Sequence, residues 1–233
     1  MKTIVLAAGR GERMRPLTDT VPKALLSAGG RSLIEWQITR LVNAGFRDLV
    51  INVCHLGAQI EAALGDGARL GARIEYSREP VALETAGGIA HALEMLGGAP
   101  FLAVNADIYC EFDYMRLQPI LAELACAQTS SSAHLVLVDN PAHHPQGDFA
   151  LGHDGRLRAT HGARLTFSGI GAYRPQLFEG IMPGERCALG ALLHRLLDSG
   201  ELRGEYYAGP WMDIGTPDRL KQLQALLLPN NGC

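Results

Sequence analysis

Short apolar runs alternate with amphipathic segments along most of the chain. Runs of mostly apolar residues predict buried strands, and apolar residues three or four apart predict helices that cover one face of a sheet. Strands are predicted at residues 3–8, 48–53, 72–76, 100–104, 133–138, 165–173 and 202–207. Helices are predicted at residues 34–45, 57–64, 85–96, 113–127, 188–198 and 217–227. This alternation predicts an α/β fold with helices on both faces of a mostly parallel, mixed sheet.

Polar residues at the ends of these segments refine the prediction. Three hydroxyl side chains are predicted to cap the helices that follow them: Ser32, Thr85 and Thr216. Glu35 completes a capping box with Ser32. A His-Asp-Gly turn at residues 153–155 lies between two short apolar segments and predicts an antiparallel hairpin. We expect a Rossmann-like single domain over residues 1–233, with this hairpin as a small antiparallel insertion over the functional site.

Composition and charge exclude several classes of partner. The chain has 233 residues, of which 47% are hydrophobic and 19% charged, as expected of a globular protein with its own core. A net charge of -3 gives no general attraction to nucleic acid or to an anionic membrane surface. The five cysteines show no C-x-x-C spacing, and no apolar run approaches the roughly twenty residues of a membrane span or forms a secretory signal. We therefore expect a cytoplasmic protein with reduced thiols.

The first predicted strand leads into a glycine turn with several cationic residues. Residues 6–18 read Leu-Ala-Ala-Gly-Arg-Gly-Glu-Arg-Met-Arg-Pro-Leu-Thr, and Lys23 follows shortly after. Glycines let backbone N–H groups approach a phosphate closely, and the arginines and Lys23 supply positive charge. Met14 stands where a dinucleotide-binding loop has its third glycine, and the chain contains no G-x-x-x-x-G-K-S/T. The turn therefore predicts a site for a nucleoside triphosphate.

Two aspartates follow short apolar strands. Asp107 ends the sequence Val-Asn-Ala-Asp, and Asp213 lies within Trp-Met-Asp-Ile-Gly-Thr. Ligands of open α/β sheets bind beyond the carboxyl ends of the strands, so both carboxylates are expected at one crevice. Together they could share a Mg²⁺ ion that takes its other ligands from water and phosphate. Taken singly, each aspartate would also fit a turn or a helix cap.

The glycine turn, Lys23 and both aspartate segments resemble those of the sugar nucleotidyltransferases. Ala24, Ala86 and Ala106 depart from the pattern of that family, at positions where proline or glycine is usual. The resemblance implies that Arg13, Lys23 and Asp107 are catalytic and that Asp107 and Asp213 hold Mg²⁺. It also implies nucleotide binding by residues of the turn and of the Leu-Glu-Thr-Ala-Gly-Gly segment: Ala8, Gly9, Gly11, Glu12, Arg13, Lys23, Glu84, Gly87 and Gly88.

A narrower resemblance, taken together with the glycine turn and the Trp-Met-Asp-Ile-Gly-Thr segment, spans essentially the whole chain. Residues 134–141, 147–149 and 166–170 are similar to those of the short uridylyltransferases that act on N-acetylmuramate α-1-phosphate in peptidoglycan recycling. The resemblance implies transfer of a uridylyl group from UTP to that sugar phosphate, with release of pyrophosphate. The chain is short for the superfamily, and we expect a monomer or weak homodimer. It places five residues at the sugar phosphate: Asn105, Asn140, Asp148, Ser168 and Gly169.

Other functions stay open at this stage. A mannose-1-phosphate guanylyltransferase or another sugar-1-phosphate nucleotidyltransferase would use the same turn and aspartates, and a nucleotide sensor would bind the triphosphate without transfer. A nicotinamide oxidoreductase is disfavoured by Met14. The pair His143-His144 does not predict a zinc site, because neighbouring side chains on an extended segment point to opposite sides and no acidic or cysteine partner lies at ligand spacing.

Overall fold

A mixed sheet forms the centre of the computed structural model, which describes residues 1–159 and 162–228. The strands are β1 (Lys2–Leu6), β2 (Ser27–Ala28), β3 (Arg31–Ser32), β4 (Asp48–Val53), β5 (Arg73–Arg78), β6 (Phe101–Asn105), β7 (Ile108–Cys110), β8 (Ala133–Val138), β9 (Phe149–Leu151), β10 (Leu157–Arg158), β11 (Arg164–Tyr173), β12 (Leu202–Tyr206) and β13 (Trp211–Asp213). The α-helices are α1 (Leu33–Asn43), α2 (Gly57–Leu64), α3 (Glu84–His91), α4 (Leu93–Leu96), α5 (Leu117–Ala125), α6 (Leu189–Ser199) and α7 (Pro217–Leu227).

The order of strands in the main sheet is β5-β4-β1-β6-β11, and β11 also pairs with β8 and β9. The pairs β1–β4, β1–β6, β4–β5 and β8–β12 are parallel, whereas β11 is antiparallel to its neighbours. Two small antiparallel sheets, β7–β13 and β2–β3, lie outside it. The predicted mostly parallel, mixed sheet is therefore confirmed.

Helices cover both faces of this sheet, and the strands show why. Ile4 and Val5 are neighbours in β1 and both fully buried, yet they belong to separate core clusters on opposite faces. Val50 and Ile51, neighbours in β4, likewise belong to the two separate clusters. Helices α1, α2 and α5 pack on one face, and α3 and α6 on the other. Continuous apolar runs are expected for strands buried on both faces.

Several predicted elements are confirmed residue by residue. The strands at residues 48–53 and 133–138 and the helix at residues 57–64 have the predicted bounds. Ser32 and Glu35 form the capping box, and Thr216 accepts a hydrogen bond from the backbone N–H of Arg219. The hairpin is β9 paired antiparallel with β10; it joins the main sheet through β11.

The predicted helix at residues 85–96 is wrong in its start and its continuity. Helix α3 begins at Glu84 without a side-chain cap, and α4 follows it after a break at Ala92. The carbonyl oxygen of Cys187 accepts hydrogen bonds from the N–H groups of Ala86 and Gly87, at 2.9 and 3.0 Å. A distant segment of the chain thus caps the start of α3, the role that was predicted for Thr85.

Four cysteines carry free thiols, as predicted: Cys54, Cys110, Cys126 and Cys187. Cys233 lies outside the described residues. Among the helices within the described ranges, none has the length and apolar character to cross a lipid bilayer.

Candidate active site

The glycine turn that follows β1 has the geometry its sequence predicts. Gly11 has a φ of +64°, and a β-carbon there would lie 3.0 Å from the Thr18 side chain and 3.1 Å from that of Lys23. Thr18 donates a hydrogen bond of 2.8 Å to the carbonyl oxygen of Gly11. Met14 is fully buried against Ile214, so the position that lacks the third glycine anchors the turn to the protein. The turn is therefore tightly packed rather than open at its base.

Lys23 forms the first charged contact of the site. It begins a short 3₁₀ turn directly after Pro22. Its ammonium group contacts a carboxylate oxygen of Asp107, and only 12% of the Lys23 side chain is exposed. Asp107 follows β6, so the glycine turn and the end of that strand meet through this ion pair.

Asp213 lies on the strand next to the Asp107 segment. In the antiparallel β7–β13 pair, Asp213 stands opposite Ile108, and the N–H of Ile214 donates a 2.8 Å hydrogen bond to the carbonyl oxygen of Asp107. The Asp213 carboxylate contacts Arg219, and its Oδ1 lies 3.1 Å from Nε2 of His143. The two aspartates are far apart in sequence, yet Asp213 lies in β13 and Asp107 lies in the turn directly before β7, the strand that pairs with β13. Each carboxylate contacts a cation of the chain.

Two adjoining cavities lie at this edge of the sheet. The first has a volume of about 210 Å³. Its lining includes the turn backbone, the ends of β4 and β6 and the start of α3: Ala8, Gly9, Lys23, Asn52, Glu79, Leu83, Glu84, Thr85, Asn105 and Asp107. The second is lined by the cationic side of the turn: Gly9, Arg10, Gly11, Glu12, Arg13, Lys23, Asp107 and Gly215. The cavities share Gly9, Lys23 and Asp107, which places the ion pair between a pocket that Glu79 and Glu84 line and one that Arg10 and Arg13 line.

Sequence reasoning missed a buried polar network in the first cavity. Asn52 is 3% exposed and Glu79 6% exposed. The Asn52 amide accepts a 2.7 Å hydrogen bond from the N–H of Ala7 and donates a 2.6 Å hydrogen bond to Glu79. Glu79 also accepts from the N–H of Leu83 at 3.0 Å. The signal was present in the sequence, because Asn52 interrupts an otherwise apolar strand.

The glycine pair of α3 packs against protein. A β-carbon on Gly87 would lie 2.4 Å from the carbonyl oxygen of Glu185, and one on Gly88 would lie 2.5 Å from Oε1 of Glu79. The cavity is lined instead by the residues just before the pair, among them Glu84, which has a φ of +62° and a salt bridge of 3.3 Å with Arg186. Contact between the two glycines and a nucleobase stays a prediction.

The residues predicted at the sugar phosphate divide into two groups. Asn105 lines the first cavity and packs against Gly169, whose φ is +84° and where a β-carbon would lie 2.6 Å from the Asn105 amide nitrogen. Ser168 is fully buried, and its hydroxyl accepts from the N–H of Ile170. Asn105 is thus the member of this set that faces the open volume.

Asn140 and Asp148 make hydrogen bonds within the loops around β11. The Asn140 amide donates to the carbonyl oxygens of Pro145 and Arg164 and accepts from Thr166 at 2.8 Å. Asp148 accepts from the N–H of Phe167 at 2.8 Å and lies 3.1 Å from His144. Both side chains hold this loop in shape, so their predicted contact with substrate would require them to share or exchange these bonds.

The donor set fits a hard divalent cation with a partial protein shell. Among the described residues, no group of three or more histidine, cysteine, aspartate or glutamate side chains is arranged to hold a metal ion. Mg²⁺ is commonly bound through one or two carboxylates, with water and phosphate oxygens completing its octahedron. Asp107 lines the cationic cavity and Asp213 lies in β13 beside the Asp107 segment, so these two carboxylates could hold such an ion together with the oxygens of a triphosphate.

Comparison with known proteins assigns the family and the fold. Residues 2–149 match the family model described as nucleotidyl transferase. The chain is 50% identical, over 97% of its length and 98% of the relative's, to an N-acetylmuramate alpha-1-phosphate uridylyltransferase of Neisseria meningitidis. It is 34% identical to a protein of the same name from Caulobacter vibrioides, over 96% of each chain.

The fold is shared with more distant solved structures. A putative glucose-1-phosphate thymidylyltransferase of Bacillus anthracis superposes with a TM-score of 0.83, covering 100% of this chain and 98% of its own, at 19% sequence identity. The resemblance inferred from the sequence motifs is thus confirmed at the level of family and fold.

Proposed function

The chain belongs to the nucleotidyl transferase family, and we propose that it transfers the uridylyl group of UTP to N-acetylmuramate α-1-phosphate with release of pyrophosphate. One structural observation carries this proposal. The glycine turn, Lys23 and Asp107 line one site, and Asp213 lies in β13, which pairs with the strand directly after Asp107. The identity of 50% to a relative named for this activity supports the choice of substrates.

The reaction needs positioning more than proton transfer. A phosphate oxygen of the sugar 1-phosphate is already anionic, so it can attack the α-phosphorus of the triphosphate in line with the departing pyrophosphate without a general base. Catalysis then consists of alignment and neutralisation of charge. Lys23 is placed between the two cavities and would contact the α-phosphate or the incoming phosphate. Arg13, in the cationic cavity, would hold the pyrophosphate.

Asp107 and Asp213 would hold the divalent cation, which we propose to be Mg²⁺. When bound, the ion polarises phosphate oxygens and neutralises part of their charge. The backbone of Ala8, Gly9 and Gly11 would follow the phosphates, since glycines let backbone N–H groups approach a ligand closely.

The first cavity would hold the nucleoside. A uracil ring presents one N–H donor between two carbonyl acceptors, and Glu79 is an acceptor within a cavity whose other polar groups include the Asn52 amide. Asn105, at the end of β6 in the same cavity, would offer its amide to the sugar hydroxyls or the N-acetyl group.

A pyrophosphate-release assay tests the proposal. The purified protein is incubated with each of four nucleoside triphosphates and with N-acetylmuramate 1-phosphate, N-acetylglucosamine 1-phosphate or mannose 1-phosphate. We expect the highest kcat/KM for UTP with N-acetylmuramate 1-phosphate, and dependence on Mg²⁺ that a chelator abolishes. Preference for GTP with mannose 1-phosphate would assign a guanylyltransferase, and triphosphate binding without pyrophosphate release would assign a sensor.

We also propose that the protein acts in the cytoplasm as a monomer or weak homodimer. UTP and sugar 1-phosphates are found in the cytoplasm, which supports the proposed location. Size-exclusion chromatography with light scattering at several protein concentrations tests the proposed oligomeric state.

A further inference from the structure

Arg219 contacts one of the two carboxylates to which the proposed function assigns the divalent cation. Its guanidinium group contacts Oδ1 of Asp213, and only 13% of its side chain is exposed. The same Nη1 atom lies 2.7 Å from Nε2 of His143, which itself lies 3.1 Å from Oδ1 of Asp213. One carboxylate oxygen of Asp213 is thus the meeting point of a guanidinium and an imidazole.

The position of Arg219 is set by the start of α7. Thr216 caps this helix, and the Nε of Arg219 lies 3.4 Å from the Thr216 hydroxyl, so the side chain folds back along the helix N-terminus. A β-carbon built on Gly215 would lie 2.5 Å from Nη2 of Arg219 and 3.2 Å from Nη2 of Arg13. The two guanidinium groups therefore converge beside Gly215, which lines the cationic cavity.

We propose that Arg219 is a positioning residue that neutralises Asp213 while the site is empty and yields this carboxylate to the divalent cation only when the triphosphate binds. The proposal rests on the metal ligands assigned under the proposed function. A guanidinium and a divalent cation repel each other and compete for the same oxygen. The negative charge of the triphosphate removes this conflict, because its β- and γ-phosphates can take the released guanidinium beside Arg13.

This exchange makes the binding of metal and nucleotide strongly coupled. The nucleotide-free protein binds the cation weakly, since Arg219 already compensates Asp213. Metal and nucleotide each raise the affinity of the protein for the other by the same factor, as linkage requires. The contact of Arg219 with Asp213 thus favours entry of the cation together with the triphosphate.

Mn²⁺ binding to the full chain, measured by calorimetry or electron paramagnetic resonance, tests the proposal. Affinity is determined for Mn²⁺ alone and with a UTP analogue that carries a methylene group between the α- and β-phosphorus. Arg219→Met removes the competing charge, and we expect it to bind Mn²⁺ alone at least about fivefold more tightly than the wild type, with a smaller enhancement by the analogue. Arg219→Lys retains the charge and is expected to stay near the wild-type affinity. Arg219→Gln is a second neutral variant if Arg219→Met does not fold.

The failure of this inference can be told apart from the failure of the proposed function. If the neutral variants bind Mn²⁺ alone no more tightly than the wild type, while Asp213→Asn lowers its affinity, Arg219 does not compete with the cation and the inference is overturned. If Asp213→Asn binds Mn²⁺ like the wild type, with and without the analogue, Asp213 is not a ligand, and both the metal assignment and this inference are overturned. Pyrophosphate release by the wild type decides separately whether the protein is a transferase.

Discussion

The backbone N–H of Ile214 donates a 2.8 Å hydrogen bond to the carbonyl oxygen of Asp107, and this bond joins the two acidic segments of the chain. It continues the antiparallel pairing of β13 with β7, in which Asp213 stands opposite Ile108. The side chain of Thr216 caps helix α7 and so fixes the chain directly after this point. Asp213 therefore lies in β13 and Asp107 in the turn directly before its partner strand β7, and the two segments are held together beside the glycine turn.

The first prediction concerns Asp107. Asp107→Asn keeps the size of the side chain but removes the charge that pairs with Lys23 and that would hold the cation. Loss of one group that stabilises charge at such a site typically lowers turnover about 10²–10³-fold. We therefore expect kcat of pyrophosphate release to fall by at least about 10²-fold. Asp154→Asn is the matched control, since Asp154 pairs with Arg158 in the exposed turn between β9 and β10. A rate within a few-fold of the wild type for Asp107→Asn would refute the assigned role.

The second prediction concerns the buried amide of Asn52. Asn52→Ala leaves the N–H of Ala7 and the carboxylate of Glu79 without the partner they have here. A buried polar group left unsatisfied costs about 1–3 kcal/mol, so we expect the free energy of unfolding in urea to fall by that amount. UTP should bind more weakly as well, because Glu79 loses the group that orients it in the cavity. Asn43→Ala, at an exposed helical position, is the control and is expected to be neutral or slightly stabilising.

The third prediction concerns the backbone of Glu84. This residue has a φ of +62°, and its salt bridge with Arg186 joins two substantially exposed side chains, which contributes little. Glu84→Ala removes the ion pair and keeps the β-carbon, whereas Glu84→Gly removes the β-carbon as well. A left-handed backbone costs an L-residue about 1–2 kcal/mol, and glycine avoids this cost. Glycine also loses more backbone entropy on folding, which cancels part of the gain. We therefore expect Glu84→Gly to be more stable than Glu84→Ala by about 1 kcal/mol. Equal or reversed midpoints in thermal unfolding would show that the position carries no such strain.

The sequence predicted those parts of the fold and site that local patterns determine. Apolar runs placed the strands well because both faces of the sheet are buried, and the Ser32 box fixed the start of α1. The turn motif and the two aspartate segments were recognisable because glycine, cation and carboxylate positions have fixed spacing there.

Contacts made by distant segments could not be predicted in the same way. The cap on α3 comes from the carbonyl oxygen of Cys187, which no pattern near Thr85 could reveal. His143 contacts Asp213 from a loop and Arg219 from the start of α7, so no spacing pattern in the sequence linked the three residues. Asn52 was identifiable in principle as a polar residue within a buried strand, but its partner Glu79 depends on how β5 ends beside β4.

The last prediction concerns how the Asp107 segment is held from behind. Gln37, fully buried in α1, donates a 2.6 Å hydrogen bond to the carbonyl oxygen of Ile108 and accepts one of 2.7 Å from the hydroxyl of Tyr114. Gln37→Leu leaves both groups unsatisfied in the core. We expect the free energy of unfolding to fall by about 1–3 kcal/mol, and kcat to fall as well because Ile108 adjoins Asp107.

A double-variant cycle separates this network from simple loss of packing. Tyr114→Phe alone leaves an acceptor of Gln37 unsatisfied, whereas in the combined variant Gln37→Leu/Tyr114→Phe neither the hydroxyl nor the amide remains. The combined loss of stability in urea should therefore be smaller than the sum of the single losses. Gln222→Leu, at an exposed position of α7, is the control for adding a leucine to a helix and is expected to change stability little. Single losses that add to within about 0.5 kcal/mol would show that Gln37 and Tyr114 act independently. Subadditive losses together with a lowered kcat would instead identify the pair as the support that holds Ile108, and through it Asp107, at the site.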